Sequence, residues 1–393
     1  MKRVLYIPGL GQDHANISVK SYALRMMKAL DEHHPEPAKT YRIESGEKEY
    51  DSDGSLTNIV SIFEHSDNKE TETYRFYEFR YAEFLTGKYR ESNVFARFLS
   101  LFLALLTRSV FVLKSIVSPK DEISSKSKAQ ALYFSALYML LALYLIFLIP
   151  SLLSVLITLF EGQDGTNNWS GVLAMLVRFE GKATYFLATF SAFMLFAPNS
   201  KSIFTDMAIE YLSANQYLSV GDRRLLITGK INRLIEVIAE EDQNVEIEVH
   251  AYSFGSVLAI DTIFPCEAEP NVRIQSTVTR LVTIGCPFDF IEIYWPRYFS
   301  ERNYSSLQLK GWVNIYSDLD VLSSRFDGFV AKKETFICND ELWQELGKID
   351  VVYNMVNPSQ VSITKMMMFY GFKAHQNYWD SHSSARSCLT HIV

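Results

Sequence analysis

An α/β fold is predicted here, a mostly parallel sheet flanked by helices and interrupted by an all-α transmembrane insertion. Three observations carry the prediction. Val245, Ile247 and Val249 alternate with Glu246, Glu248 and His250, the pattern breaks at Ala251-Tyr252-Ser253-Phe254-Gly255, and apolar residues then resume at helical spacing through Asp261. Arg3 to Ile7 is a short apolar run ended by Pro8-Gly9-Leu10-Gly11, with Val19, Tyr22, Ala23, Met26, Met27 and Leu30 following at helical spacing. Ala131 to Phe160 is 30 residues without a charge, broken only by Pro150. A helix of about 20 apolar residues already spans a bilayer.

In order along the chain, Arg3 to Ile7 reads as a buried strand, because strands covered on both faces are continuously apolar. The glycine loop after it lacks the lysine-serine pair or G-x-G-x-x-G that a phosphate cradle requires. In a serine hydrolase the same loop would aim backbone N–H groups at an oxyanion. His33 to Asp53 is polar, contains Pro35 and Pro37, and reads as surface connection. Order returns at Asn58 to Phe63 and at Tyr74 to Phe84, the latter read as a strand from its alternation of aromatic and charged residues.

From about Ser92 the character changes. Phe98 to Val117 is apolar around Arg108, the uncharged run follows, and Ala183 to Ala197 is apolar again after Arg178, Glu180 and Lys182. The strands before residue 90 and the stretch after residue 240 must share one sheet, so the number of membrane crossings between them is even. The expected hairpin pairs about 131–160 with 172–197, and Arg97 to Val117 lies in the interface; the alternative uses Phe98 to Val117 as the partner span. Lys114, Lys120, Lys126 and Lys128 flank one end and Lys201, Arg223 and Arg224 the other, whereas Glu161 to Ser170 carries no Lys or Arg. By the positive-inside rule both flanks face the cytoplasm.

Ile203 to Leu218 and Leu225 to Ile238 show helical spacing, and Val278 to Ile284 and Trp312 to Tyr316 read as strands. These two strands end in Gly285-Cys286-Pro287 and in Ser317-Asp318-Leu319-Asp320, and open sheets place their ligands at such carboxyl ends. Asp327 to Asp350 is a mixed, partly charged connection. The organisation expected is a discontinuous catalytic domain, residues 1–90 and 220–393, with a helical membrane insertion at 91–219.

Composition narrows the function. Across 393 residues the net charge is -7, which gives no basic surface for nucleic acid. Cys266, Cys286, Cys338 and Cys388 lack C-x-x-C spacing and read as free thiols, with neither a metal site nor a cofactor motif beside them. The apolar run Val4 to Ile7 is too short for a signal peptide.

The strand-turn-helix around Ser253 has the form of a nucleophile elbow, in which a strained central residue needs small neighbours two positions away; Ala251 and Gly255 supply them. A serine hydroxyl needs a base, and the base a carboxylate. Of the downstream histidines, His382 and His391 lie in a polar terminal segment, and His375 is the leading base. For the acid, Asp320 is favoured, Asp318 is the alternative, and Asp289 comes third.

At these residues the chain resembles the α/β-hydrolase superfamily, its serine lipase and esterase members in particular. Ile7-Pro8-Gly9-Leu10-Gly11 is similar to the oxyanion loop, and Ala251-Tyr252-Ser253-Phe254-Gly255-Ser256 to the elbow written G-H-S-L-G-S. Leu281 to Pro287 resembles the strand written L-V-T-L-G-S-P, while Trp312 to Val321 with His375 to Trp379 resembles the paired acid and base segments. The resemblance covers residues 1 to about 90 and 220 to 393. It implies Ser253 as nucleophile, Asp320 as acid, His375 as base, and the backbone N–H groups of Leu10 and Phe254 as the oxyanion hole. Ala251 replaces the family's first elbow glycine, and Tyr252 stands where histidine is frequent.

The leading expectation is a membrane-anchored serine hydrolase that cleaves a lipid ester or thioester, with its catalytic domain on the cytoplasmic side. Its partners would be an acyl-ester substrate, the membrane, and in a homo-oligomer a second copy. The same triad would serve an acyltransferase, and a non-catalytic membrane signalling protein could keep the scaffold. A channel or transporter is disfavoured by too few spans.

Overall fold

The computed structural model describes residues 1–10, 17–33, 39–66, 69–117, 128, 131–136, 139–140, 200–242, 245–304, 307–326, 349–354, 374–375, 378 and 386–393. Of the membrane hairpin expected at about 131–160 and 172–197, residues 141–160 and 172–197 lie outside the described residues.

The chain adopts an α/β architecture built on a mixed, mostly parallel sheet. Its strands are β1 (Lys2–Ile7), β2 (Thr40–Glu49), β3 (Leu56–Ser66), β4 (Lys69–Glu78), β5 (Ile247–Tyr252), β6 (Val278–Ile284), β7 (Gly311–Tyr316) and β8 (Ile349–Val352). Their order across the sheet is β2-β3-β4-β1-β5-β6-β7-β8. From β4 to β8 every neighbouring pair is parallel, and β2-β3-β4 is an antiparallel meander. β1 occupies the middle, pairing Leu5 with Tyr77 on one side and with Val249 on the other. That position explains its sequence: Val4, Leu5, Tyr6 and Ile7 are covered from both faces.

One face of the sheet is covered by the helix Ile17–His33, whose Val19, Tyr22, Ala23 and Met26 pack with Cys388, Leu389 and Ile392 from the C-terminus. The other face carries the helices Ser200–Ser219, Gly221–Glu240, Phe254–Ile263 and Phe288–Tyr294. The helix Val94–Val117 joins this second layer through Leu101, Leu105 and Val112. Its opposite face exposes Leu99, Leu103, Leu106, Val110, Leu113 and Val117, spaced alternately four and three apart. Arg108 in its middle turns inward, donating to Ser219 Oγ at 2.7 Å and lying 5.0 Å from the Trp295 ring centroid.

Three expectations are corrected. Residues read as surface connection between His33 and Asp53 contain β2; at the sheet edge its charged side chains stay solvated, so no apolar alternation marked it. The strand read over Tyr74 to Phe84 begins earlier, at Lys69, and ends at Glu78, where its pairing with β1 stops at Tyr6; a short helix, Ala82–Leu85, follows. The end of the connection assigned to Asp327–Asp350 opens β8, a strand of 4 residues with Asp350 within it, too short to show an alternation.

Candidate active site

The site is assembled where β1, β5, β6 and β7 end. β5 finishes at Tyr252, and Ser253 takes φ 53° and ψ -128°, a backbone conformation costly for a residue with a Cβ. Neighbouring contacts hold it there. Its amide donates to Ile284 O at 2.8 Å, and its own carbonyl accepts from Ser256 N at 3.0 Å to open the helix Phe254–Ile263. Close packing requires the small residue two positions on: a Cβ on Gly255 would lie 2.4 Å from both Ile7 O and Pro8 O.

Downstream residues converge on the serine hydroxyl. His375 Nε2 lies 2.6 Å from Ser253 Oγ, and His375 Nδ1 lies 2.7 Å from Asp320 Oδ2. A carboxylate only accepts, so Nδ1 carries the proton, and the Nε2 lone pair is left to receive the serine O–H. Asp320 is fully buried just past β7; its Oδ1 accepts from Leu322 N at 2.9 Å, and its Oδ2 also accepts from Tyr378 Oη at 3.1 Å. Each carboxylate oxygen therefore has a donor, which offsets the cost of burying the charge.

Ser253, Asp320 and His375 are thus brought together, and the other candidates are not. Asp318, the alternative acid, is exposed and exchanges hydrogen bonds with Asn354 at 3.0 and 3.1 Å, away from His375. Asp289 is buried in the first turn of the helix Phe288–Tyr294, its amide donating to Ser324 Oγ at 2.8 Å, and the carboxylate that meets His375 Nδ1 is that of Asp320. His391 ends a 3-10 turn at the C-terminus, and His382 lies outside the described residues. Leu10 and Phe254, expected as oxyanion donors, line one pocket together with Ser253. Phe254 is the first residue of its helix, where backbone N–H groups have no partner within the helix.

That pocket is the second part of the site. From Ser253 it runs between Phe290, Ile291 and Trp295 on one side and Tyr211, Ala214 and Leu218 on the other, with Phe134 and Glu210 also lining it. Its wall therefore includes the helix Ser200–Ser219, which sequence reading grouped with the insertion. Sequence reasoning included Gly285 and Tyr378 in family-like segments without giving either a role, and it missed the pocket aromatics. Gly285 sits at φ 62°, and a Cβ there would fall 3.2 Å from His375 Cε1 and 3.4 Å from Asp320 Oδ2. The only local signal for Tyr378 was its place three residues after His375, and the pocket residues come from separate segments with no shared motif.

Among the described residues no cluster of three or more His, Cys, Asp or Glu side chains is arranged to hold a metal ion. Comparison with known family models, with curated proteins and with solved structures finds no match to this chain.

Proposed function

We propose that the chain is a membrane-anchored serine hydrolase of α/β-hydrolase type that cleaves a carboxylic ester or thioester of a lipid through an acyl-enzyme on Ser253. The observation that carries this reading is the unbroken chain Ser253 Oγ, His375 Nε2, His375 Nδ1, Asp320 Oδ2 at 2.6 and 2.7 Å, presented by a strained turn at the carboxyl end of a parallel strand. The order Ser, Asp, His along the chain supports it as well.

In the first step Ser253 Oγ bonds to the substrate carbonyl carbon while its proton passes to His375 Nε2. The carbonyl oxygen becomes an oxyanion, opposite the N–H of Phe254 and the turn at Leu10. His375, its positive charge stabilised by Asp320, returns the proton to the leaving alcohol or thiol as the C–O or C–S bond breaks. Water then repeats the sequence on the acyl-enzyme, releasing the acid and restoring Ser253.

The apolar pocket supports an acyl chain as the occupant, since burial of each CH2 contributes about 0.8 kcal/mol. Membrane attachment is supported by the uncharged run at 131–160 and by Leu99–Val117, the described helix that is long and apolar enough to cross a bilayer, with mean hydropathy 1.8. Because Arg108 ties the middle of this helix to Ser219 and Trp295, the helix fits an interfacial position, its outer leucines in the leaflet, better than a crossing. The basic flanks support a cytoplasmic position for the catalytic part.

The test is labelling of the purified, detergent-solubilised protein by a fluorophosphonate probe. Ser253-dependent labelling, lost in Ser253→Ala while yield and fold are retained, is the expected result. A folded wild-type protein that does not label, or one that labels equally in the variant, would sink the assignment.

A further inference from the structure

A base that lies 122 residues downstream of its serine has to be delivered by tertiary contacts. The Asp320 bond fixes one end of the imidazole and leaves the main chain of His375 to be held by something else. Tyr252, the residue before the nucleophile, is 2% exposed. Its hydroxyl donates to the backbone carbonyl of His375. Its ring lies along the imidazole, 5.2 Å between centroids and 23° between planes, and the Tyr378 ring meets it edge-on at 6.0 Å. The turn after β1 touches the same ring: a Cβ on Gly9 would fall 2.9 Å from Tyr252 Cδ1 and 2.9 Å from Ser253 Cβ.

One side chain therefore contacts the turn that carries Leu10, the elbow itself and the segment that carries His375. We propose that Tyr252 is a positioning residue, which keeps His375 Nε2 within reach of Ser253 Oγ by holding the backbone of the base through its hydroxyl and the plane of the base through its ring. The proposal rests on the reading of Ser253 as nucleophile. It gives a reason for tyrosine at a position where the resembling family often has histidine: the ring supplies the stacked face, and the phenol reaches the carbonyl beyond it. Tyr252 is not among the described residues that line the pocket, and the contacts named above are with His375, Tyr378 and Gly9.

Tyr252→Phe removes the hydroxyl and keeps the ring; Tyr252→Leu removes both. In the full detergent-solubilised chain, assayed well below each protein's melting temperature with a short-chain ester, Tyr252→Phe should lower kcat by about 10- to 100-fold, since a small misplacement of a reacting group costs up to about 10²-fold. KM should stay within about twofold, because binding shared by ground and transition states is untouched. Tyr252→Leu should be slower again, and both should label at Ser253 at reduced rate. The far-downfield proton resonance of the His375 Nδ1–H bond to Asp320 should broaden or shift in both variants, a change that loss of global stability alone would not produce. Wild-type kcat and an unchanged resonance in Tyr252→Phe would overturn the proposal, as would a rise in KM at constant kcat, which would make Tyr252 a substrate contact. Absence of Ser253-dependent labelling in the wild type is a different failure: it removes the hydrolase reading itself, whereas normal wild-type labelling with indifferent Tyr252 variants removes the positioning role alone.

Discussion

Gly285 lies directly against His375: a Cβ built on the glycine would stand 3.2 Å from the imidazole Cε1, at a backbone φ of 62°. Its amide is fixed as well, donating to Ile315 O at 2.8 Å. The end of β6 is thereby shaped to leave room for the base and the acid.

Gly285→Ala should act on both rate and stability. The left-handed conformation costs a residue with a Cβ roughly 1–2 kcal/mol, and the added methyl pushes on the ring that must meet Ser253. We expect a lower melting temperature and a fall in kcat of about 10-fold or more, measured by thermal melts and ester turnover side by side. Full activity in this variant would mean that His375 has more freedom than the packing allows.

A second expectation concerns acid. His250 is completely buried in β5, with Nδ1 2.5 Å from Tyr22 Oη and Nε2 3.0 Å from Glu248 Oε2. Burial holds its pKa below the ordinary 6.5, against the pull of Glu248, so the neutral ring accepts from Tyr22 and donates to Glu248. A depressed folded value means that this contribution is complete above about pH 6.5 and is lost as pH falls through the folded pKa. Glu248, which burial alone would raise, is held down at about 2 by the hydrogen bond from His250 and by the nearby charges of Lys2 and Arg280, so its own contribution fades only below about pH 4.5. Melting temperature should therefore drop as pH falls below about 6.5 in the wild type, and the drop should be smaller in His250→Gln. Parallel curves for the two proteins would assign the acid sensitivity elsewhere.

The wall of the pocket is anchored by a buried ion pair. Arg302 Nη1 lies 2.7 Å from Asp261 Oδ1, with both side chains about 1% exposed, and Asp261 Oδ2 accepts from Tyr217 at 2.8 Å and Tyr298 at 2.5 Å. Tyr217 belongs to the helix Ser200–Ser219 and stands beside the pocket residue Leu218. Arg302→Met strands the carboxylate and should cost about 3–5 kcal/mol, while adding Asp261→Asn should recover part of it. Thermal inactivation of the single and double variants checks this; a single variant within about 0.5 kcal/mol of wild type would show that the pair contributes little.

How much of this was legible in the sequence depended on burial. β1, β5, β6 and β7 are inner strands paired in parallel, so their apolar residues stood out and their carboxyl ends, with Ser253 and Asp320, could be located. β2 and β8 are the two edges, one solvated and one of 4 residues, and neither left a pattern. His375 was found because an elbow demands a base, whereas Tyr252, Gly285 and the aromatic pocket matter only through contacts between distant segments. Asp318 and Asp320 could not be separated by spacing alone; burial and the turn after β7 separate them.

The central place of β1 also sets a schedule. Arg3 pairs with Ile247, and the strand that completes this pairing is synthesised only after the whole uncharged stretch at 131–160 has left the ribosome. Until then one edge of β1 is open, and neither Ser253 nor the turn at Leu10 has its neighbour. Non-local strand pairing of this kind is slow, so the sheet closes late in biogenesis. A chain that stalls at its apolar middle accordingly lacks both β5 and the Ser253 turn that follows it.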